Sequence, residues 1–251
     1  MDKVNVKEYV IERSGKKIYG RLYTPAKEGK CPAVIISHGY NGIADDWVKE
    51  CNFYAQNGYI AYAFDFCGGS VRSRSSGNTV DMTVFTEKDD LLDVFEDISS
   101  LENVDKHRIY LKGGSQGGLV TALAAEELKE KVRAVVLYFP AFCIPDNWND
   151  KFASESEIPE SIDFWGMKLG RNFSLSIRAL DVKKAIGGYE NPVFIIHGDN
   201  DPIVKISYSE DILKQYKKAR LEVLKGEAHG FKPEAGEKAM KMVLEFMDSE
   251  K

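Results

Sequence analysis

Hydrophobic positions come in short runs that are almost unbroken: Ala33-Val34-Ile35-Ile36-Ser37, Tyr59 to Phe64, Arg108 to Leu111, Val132 to Phe139 and Pro192 to His197. Runs of this length, rich in β-branched and aromatic residues, predict strands buried on both faces. Between them the apolar residues recur at three- and four-residue spacing. Asp45 to Asn57 carries Trp47, Val48, Cys51 and Tyr54 on one side before Gly58 stops it. Phe85 to Leu101 carries Leu91, Leu92, Val94, Phe95 and Ile98. Helices are predicted there, from Leu119 to about Leu128, over Ser207 to Tyr216, and over Ala235 to Phe246. Val4 to Ile11 and Lys17 to Tyr23, joined by Ser14-Gly15-Lys16, predict an N-terminal hairpin, and Arg220 to Leu224 a last strand.

Strands alternating with helices call for an α/β fold: a mostly parallel, twisted sheet with helices on both faces. The rhythm fails once. Residues 140–189 hold Pro145, Pro159, Trp148, Trp165 and clustered acids, with no clear strand–helix unit. The expectation is a single domain over 1–251, with 140–189 inserted as a small lid. Sheets of this kind present reactive residues at the carboxyl ends of their strands. Four loops fall there: 38–42, 113–117, 198–202 and 226–231.

Composition narrows the partners. A formal charge of −5 argues against nucleic acid as the main partner. The four cysteines are scattered, without metal spacing, and predict reduced thiols. The first residues lack the apolar core of a secretory signal, and no run reaches the length of a membrane span. These features predict a cytoplasmic protein without membrane partners. No ligand set for a metal and no GxGxxG after the first strand occur, so no cofactor is implied. The sheet edges permit a homodimer without demanding one.

The stretch that carries chemistry is Gly113-Gly114-Ser115-Gln116-Gly117-Gly118, set between a strand and a helix. A serine on that turn is held in a strained backbone conformation with its hydroxyl exposed above the strand end. The start of the helix offers unpaired N–H groups to a developing oxyanion. A serine needs a base to take its proton, and the chain has four histidines. His107 lies at the wrong end of the sheet. His38 and His197 each sit at a strand end before a glycine, where imidazoles serve structural hydrogen bonds. His229, in the loop after the last strand, is the candidate base. Asp199 and Asp201 are both candidates for the acid that steadies it, each also able to shape its turn. The oxyanion hole draws on the N–H of Gln116 and on one from the 38–42 loop, where Tyr40 is the best candidate.

With these pieces assembled, the chain resembles the α/β-hydrolase family over essentially its whole length. The resemblance rests on His38-Gly39-Tyr40, Gly113-Gly114-Ser115-Gln116-Gly117-Gly118, His197-Gly198-Asp199-Asn200-Asp201 and Ala228-His229-Gly230. It implies the second aspartate of the G-D-x-D pattern, Asp201, as the acid. More narrowly, the Ser115-Gln116-Gly117-Gly118 turn, Pro140-Ala141-x-x-Ile144-Pro145-Asp146 and Ile158-Pro159-Glu160 before Trp165 resemble small bacterial cinnamoyl (feruloyl) esterases. That likeness implies a lid over the aromatic acid of the substrate. Trp165 would contact the ring and Asp146 would accept a hydrogen bond from a phenolic hydroxyl. Two departures stand out: Cys67-Gly68-Gly69-Ser70-Val71-Arg72-Ser73 where the family often has Gly-x-Gly-x-Ser, and Lys205 where it has proline.

The implied function is a serine carboxylesterase acting on a small-molecule ester through an acyl-enzyme. Cinnamoyl or feruloyl esters are the narrower expectation. A thioesterase or acylaminoacyl-peptidase-like hydrolase is the alternative on the same residues, since fold and triad do not select the acyl group. A non-catalytic binding protein is the third reading, disfavoured because serine, acid and histidine all occur in order. Arg72 and Arg74 in the 65–84 loop could bind an acidic substrate, but a solvated loop is the expectation.

Overall fold

A computed structural model describes residues 4–250. The hairpin is β1 (Val4–Arg13) and β2 (Lys16–Pro25). Its two-residue loop, Ser14-Gly15, takes positive φ at both positions (53° and 74°), the turn whose twist suits a hairpin. The parallel strands are β3 (Cys31–Ser37), β4 (Ile60–Phe64), β5 (Val104–Gly114), β6 (Ala134–Tyr138), β9 (Val193–Gly198) and β10 (Ala219–Leu224). Together with the hairpin they form one eight-stranded sheet in the order β1-β2-β4-β3-β5-β6-β9-β10. Only β2 runs antiparallel to its neighbours, β1 and β4.

The unbroken apolar runs are explained by two separate cores. Ile35, Leu111, Leu137 and Ile195 point to one face of the sheet and pack with residues of α2 (Val84–Ser99) and α3 (Gln116–Leu128). Val34, Ile36, Tyr110, Val136 and Ile196 point to the other and pack with α1 (Val48–Gln56) and α8 (Pro233–Ser249). A strand side chain alternates faces, so a strand covered on both sides is apolar at every position.

β5 is longer than its apolar run predicts. Val104 pairs with Cys31, and Gly113 and Gly114 pair with Leu137 and Tyr138. Glycines and charged residues inside a strand leave no hydrophobic signature. Between β6 and β9 the chain forms α4 (Ile144–Lys151), a two-stranded antiparallel sheet of β7 (Ser161–Phe164) and β8 (Met167–Gly170), α5 (Arg171–Ile177) and α6 (Val182–Ala185). Those strands are four residues each, too short for alternation to register. Their turn is Trp165-Gly166, again with positive φ at both residues (44° and 79°). α7 (Ile206–Leu213) completes the fold. Among the described residues no helix is long and apolar enough to cross a membrane.

Candidate active site

Ser115 stands between the end of β5 and the start of α3 with φ 54° and ψ −122°. A non-glycine residue holds such a conformation only when its surroundings over-determine it. Here the Ser115 N–H donates to the Tyr138 carbonyl (3.0 Å), and the Ser115 carbonyl accepts from the N–H groups of Gly118 and Ala141 (both 2.9 Å). The glycines let α3 lie against β3 and β5. A Cβ on Gly117 would stand 2.2 Å from the His38 carbonyl oxygen and 2.6 Å from that of Ser37; one on Gly113 would stand 2.2 Å from the Gly117 oxygen. Because the obstacles are backbone atoms, Gly117→Ala is expected to cost about 3 kcal/mol or more. Thermal unfolding followed by circular dichroism should show a melting temperature lower by roughly 10 °C.

The two loops after β9 and β10 reach the same rim. His229 Nε2 lies 3.0 Å from Ser115 Oγ, and His229 Nδ1 lies 2.7 Å from Asp201 Oδ2. A carboxylate can only accept, so Nδ1 carries the proton and Nε2 is free to receive one from the serine. Phe139 packs on the imidazole with ring centroids 4.5 Å apart, and Phe231 packs on Phe139 at 4.9 Å. Asp201 is fully buried at its side chain. Its Oδ1 accepts the N–H groups of Ile203 (2.8 Å) and Val204 (2.9 Å). Burial pushes this carboxyl up, but the Val204 N–H, His229 and the Ile203 N–H outweigh it and leave Asp201 below the usual carboxylate range. Asp199 does something else: its carboxylate accepts the Gly226 N–H at 2.6 Å. His38 and His107 stay outside this relay. His38 bonds the Gly39 carbonyl through Nδ1 and accepts the Phe66 N–H at Nε2, and His107 lies near the amino-terminal end of β5, away from Ser115.

Tyr40 and Gln116 flank Ser115 in the same cavity. As the first residue of α3, Gln116 carries an N–H that a helix cannot pair within itself. The loop holding Tyr40 is tied down by the stretch that departs from the family pattern. The Asn41 side chain accepts the Val71 N–H (3.0 Å), and Ser70 Oγ lies 3.1 Å from both the Asn41 carbonyl and its side-chain oxygen. Of the two arginines here, Arg72 stays exposed, as expected, while the side chain of Arg74 is more buried and engaged. Arg74 stacks on Tyr19 at 3.8 Å and pairs with Asp65 and Asp45, and Arg72 pairs with Asp46.

Beneath Gln116 lies a residue that sequence reasoning did not single out. Glu87, 1% exposed, accepts the Gln116 side-chain amide at 2.8 Å, while its other oxygen has no partner. Burial pushes this carboxyl well above its ordinary value; the Gln116 hydrogen bond opposes that and Asp90 adds to it. A carboxyl raised in the folded state contributes stability below its unfolded pKa and loses it as pH rises through the folded value. Glu87→Gln keeps an oxygen for Gln116 and cannot ionise. Its melting temperature relative to the wild type should therefore rise by a few degrees between pH 5 and pH 9; a constant difference would contradict a protonated Glu87.

Ser115 opens into two cavities. One, about 70 Å³, lies under α4 and the β7–β8 turn and is lined by Ile144, Asn147, Trp148, Phe164, Trp165 and Phe173. The other, about 410 Å³, is an open cleft lined by Trp47, Glu50, Tyr138, Phe139, His229 and Phe231. Its wall rests on a buried ion pair. Lys112 Nζ lies 2.7 Å from Glu50 and sits over the rings of Trp47 (3.9 Å) and Tyr138 (3.7 Å). Burial pushes this ammonium below its usual value, against the pull of Glu50. Trp165, 63% exposed and stacked on Phe164 at 4.7 Å, borders both cavities. Asp146 is not brought to them. On α4 the cavity takes Ile144, Asn147 and Trp148, at helical spacing, whereas Asp146 points to a separate surface recess and accepts the Tyr208 hydroxyl at 2.8 Å.

The fold agrees with what comparison shows. The sequence matches the acetyl xylan esterase family over residues 3–147 and the alpha/beta hydrolase fold family over residues 84–233. Est1E from Butyrivibrio proteoclasticus, solved with ferulic acid bound, is 29% identical, covers 96% of this chain and 98% of its own, and superposes with a TM-score of 0.86. Acetyl xylan esterase 1 from a Thermoanaerobacterium species is 21% identical with a TM-score of 0.68, covering 98% of this chain and 88% of its own. A monoacylglycerol lipase from Paleococcus ferrophilus is 18% identical with a TM-score of 0.71, covering 93% and 99%. These last two share the fold. The molecule is an α/β hydrolase, an eight-stranded, mostly parallel sheet with helices on both sides. Within that fold the chain belongs to the acetyl xylan esterase family. It is a carboxylic ester hydrolase, like the esterases it matches.

Proposed function

We propose that the protein hydrolyses carboxylic esters with Ser115 as nucleophile, through a covalent acyl-enzyme. The observation that carries this reading is the unbroken line Ser115 Oγ–His229–Asp201, at 3.0 and 2.7 Å. His229 takes the serine proton as Oγ attacks the ester carbonyl. The N–H groups of Gln116 and Tyr40 receive the oxyanion, and Asp201 steadies the imidazolium. His229 then protonates the departing alcohol, and a water molecule, deprotonated by the same ring, releases the acid.

The two cavities divide the substrate. The smaller one takes the acyl group beneath residues 140–189, which act as a lid, and the wider cleft takes the alcohol. A cavity of about 150 Å³ is what benzene fills. The smaller cavity, at about 70 Å³, suits an acetyl-sized group. A larger alcohol finds room and aromatic walls in the cleft. kcat/KM for p-nitrophenyl acetate is therefore expected to exceed that for p-nitrophenyl ferulate, which has the same leaving group, by at least tenfold; the reverse order would overturn the acyl-size assignment. A feruloyl ester is the second reading, favoured by the likeness to Est1E. It requires Trp165 to move off Phe164, so Trp165→Ala should then raise activity on methyl ferulate and leave p-nitrophenyl acetate little changed. The four thiols, none of them paired, support a cytoplasmic setting.

A further inference from the structure

His197 occupies the penultimate position of β9 and is fully buried. The relay described above does not use it, yet its ring touches the relay. Nε2 lies 3.0 Å from the Val204 carbonyl and 3.2 Å from Asp201 Oδ2, the oxygen that also holds His229. Nδ1 lies 2.7 Å from Ser209 Oγ on α7. A carbonyl and a carboxylate offer no proton, so Nε2 must carry one, and the Ser209 hydroxyl must donate to Nδ1. One tautomer satisfies every partner.

We propose that His197 is a positioning residue for Asp201: a neutral imidazole, oriented by Ser209, that fixes the carboxylate from the side opposite His229. The contact closes the 201–204 turn from both directions. Val204 gives its N–H to Asp201 Oδ1 and its carbonyl accepts from His197. Oδ2 thus receives two N–H donors, and rotation of the carboxylate breaks bonds at both oxygens. The ionisable groups acting on the His197 ring are Asp201 and His229. Burial, the largest influence, pushes His197 below its ordinary value against the Val204 carbonyl and Asp201, which keeps it the neutral donor the geometry requires. Without this donor the Oδ2 charge is concentrated on His229, which stabilises the protonated imidazole and withdraws the base from Ser115.

The inference rests on the proposed roles of Ser115, His229 and Asp201, and its test separates the two. kcat and KM for p-nitrophenyl acetate are measured from pH 5 to pH 9 for wild type, Ser115→Ala, His197→Met and His197→Gln. Methionine fills the site without a donor, whereas a glutamine amide can place an N–H where Nε2 stood. His197→Met is expected to lose about tenfold in kcat with KM within twofold. The acid side of its kcat/KM profile should move up by about half a pH unit. His197→Gln should return the profile to its wild-type position and recover most of kcat. A wild-type profile in the methionine variant, or equal losses in both variants with the profile unmoved, would overturn the proposal and leave His197 a packing residue. Should the methionine variant not fold, Ser209→Ala must show the same upward displacement at smaller size; an unmoved profile there also overturns it. An active Ser115→Ala would instead remove the underlying triad.

Discussion

Ser115→Ala is expected to lower kcat for p-nitrophenyl acetate by about 10⁵–10⁶-fold, with little change in folding. Removing the nucleophile of a serine triad costs about as much as removing the whole triad, because the members act as a unit. The residual rate comes from the oxyanion donors and from binding, both of which survive the substitution. The backbone of the turn survives too. The bonds that hold Ser115 in its left-handed conformation use its N–H and carbonyl rather than its hydroxyl. Steady-state hydrolysis with a parallel melting curve checks the result. Activity within tenfold of wild type would remove Ser115 from the chemistry.

The second large effect is Asp201→Asn, expected to reduce kcat by about 10⁴-fold. The Ile203 and Val204 N–H groups demand an oxygen at Oδ1. That constraint turns the new amide nitrogen toward His229, where it donates to Nδ1. The ring then carries its proton on Nε2, facing Ser115, and cannot accept another. The fold keeps its shape while the base holds the wrong tautomer. Acid affects the wild type in the related sense. Asp201 is held below its ordinary range in the folded state, so it contributes stability above its unfolded pKa and loses that contribution as pH falls through the folded value. A kcat that drops equally for Asp201→Asn and Asp201→Ala would support the tautomer argument for neither, since the alanine variant leaves His229 free to choose.

The sheet and the relay were legible because local sequence encodes them. An apolar run covered on both faces, a serine between glycines, and histidine or aspartate just past a strand end are all patterns within a few residues. The choice of Asp201 over Asp199 needed the family likeness. Geometry gives it a cause: Asp201 sits where the next turn's N–H groups point its carboxylate at His229, whereas Asp199 turns back to Gly226. What was not legible depends on distant partners. Glu87 meets Gln116 across 29 positions and Lys112 meets Glu50 from another element, so neither contact leaves a local pattern. His197 is within four positions of Asp201, but its part depends on Ser209 and on which nitrogen carries the proton. Asp146 shows the opposite case. The residues around it suggested a pocket contact, while helical spacing gave the cavity to Ile144, Asn147 and Trp148 and left Asp146 to Tyr208.

The central claim is that Ser115 is an activated nucleophile at the meeting point of two cavities. Its most direct test is to treat the protein with a fluorophosphonate and map the adduct by mass spectrometry of the digested protein. The account predicts one stoichiometric adduct, on Ser115, lost in His229→Ala. No adduct, or one on a different side chain, would contradict it.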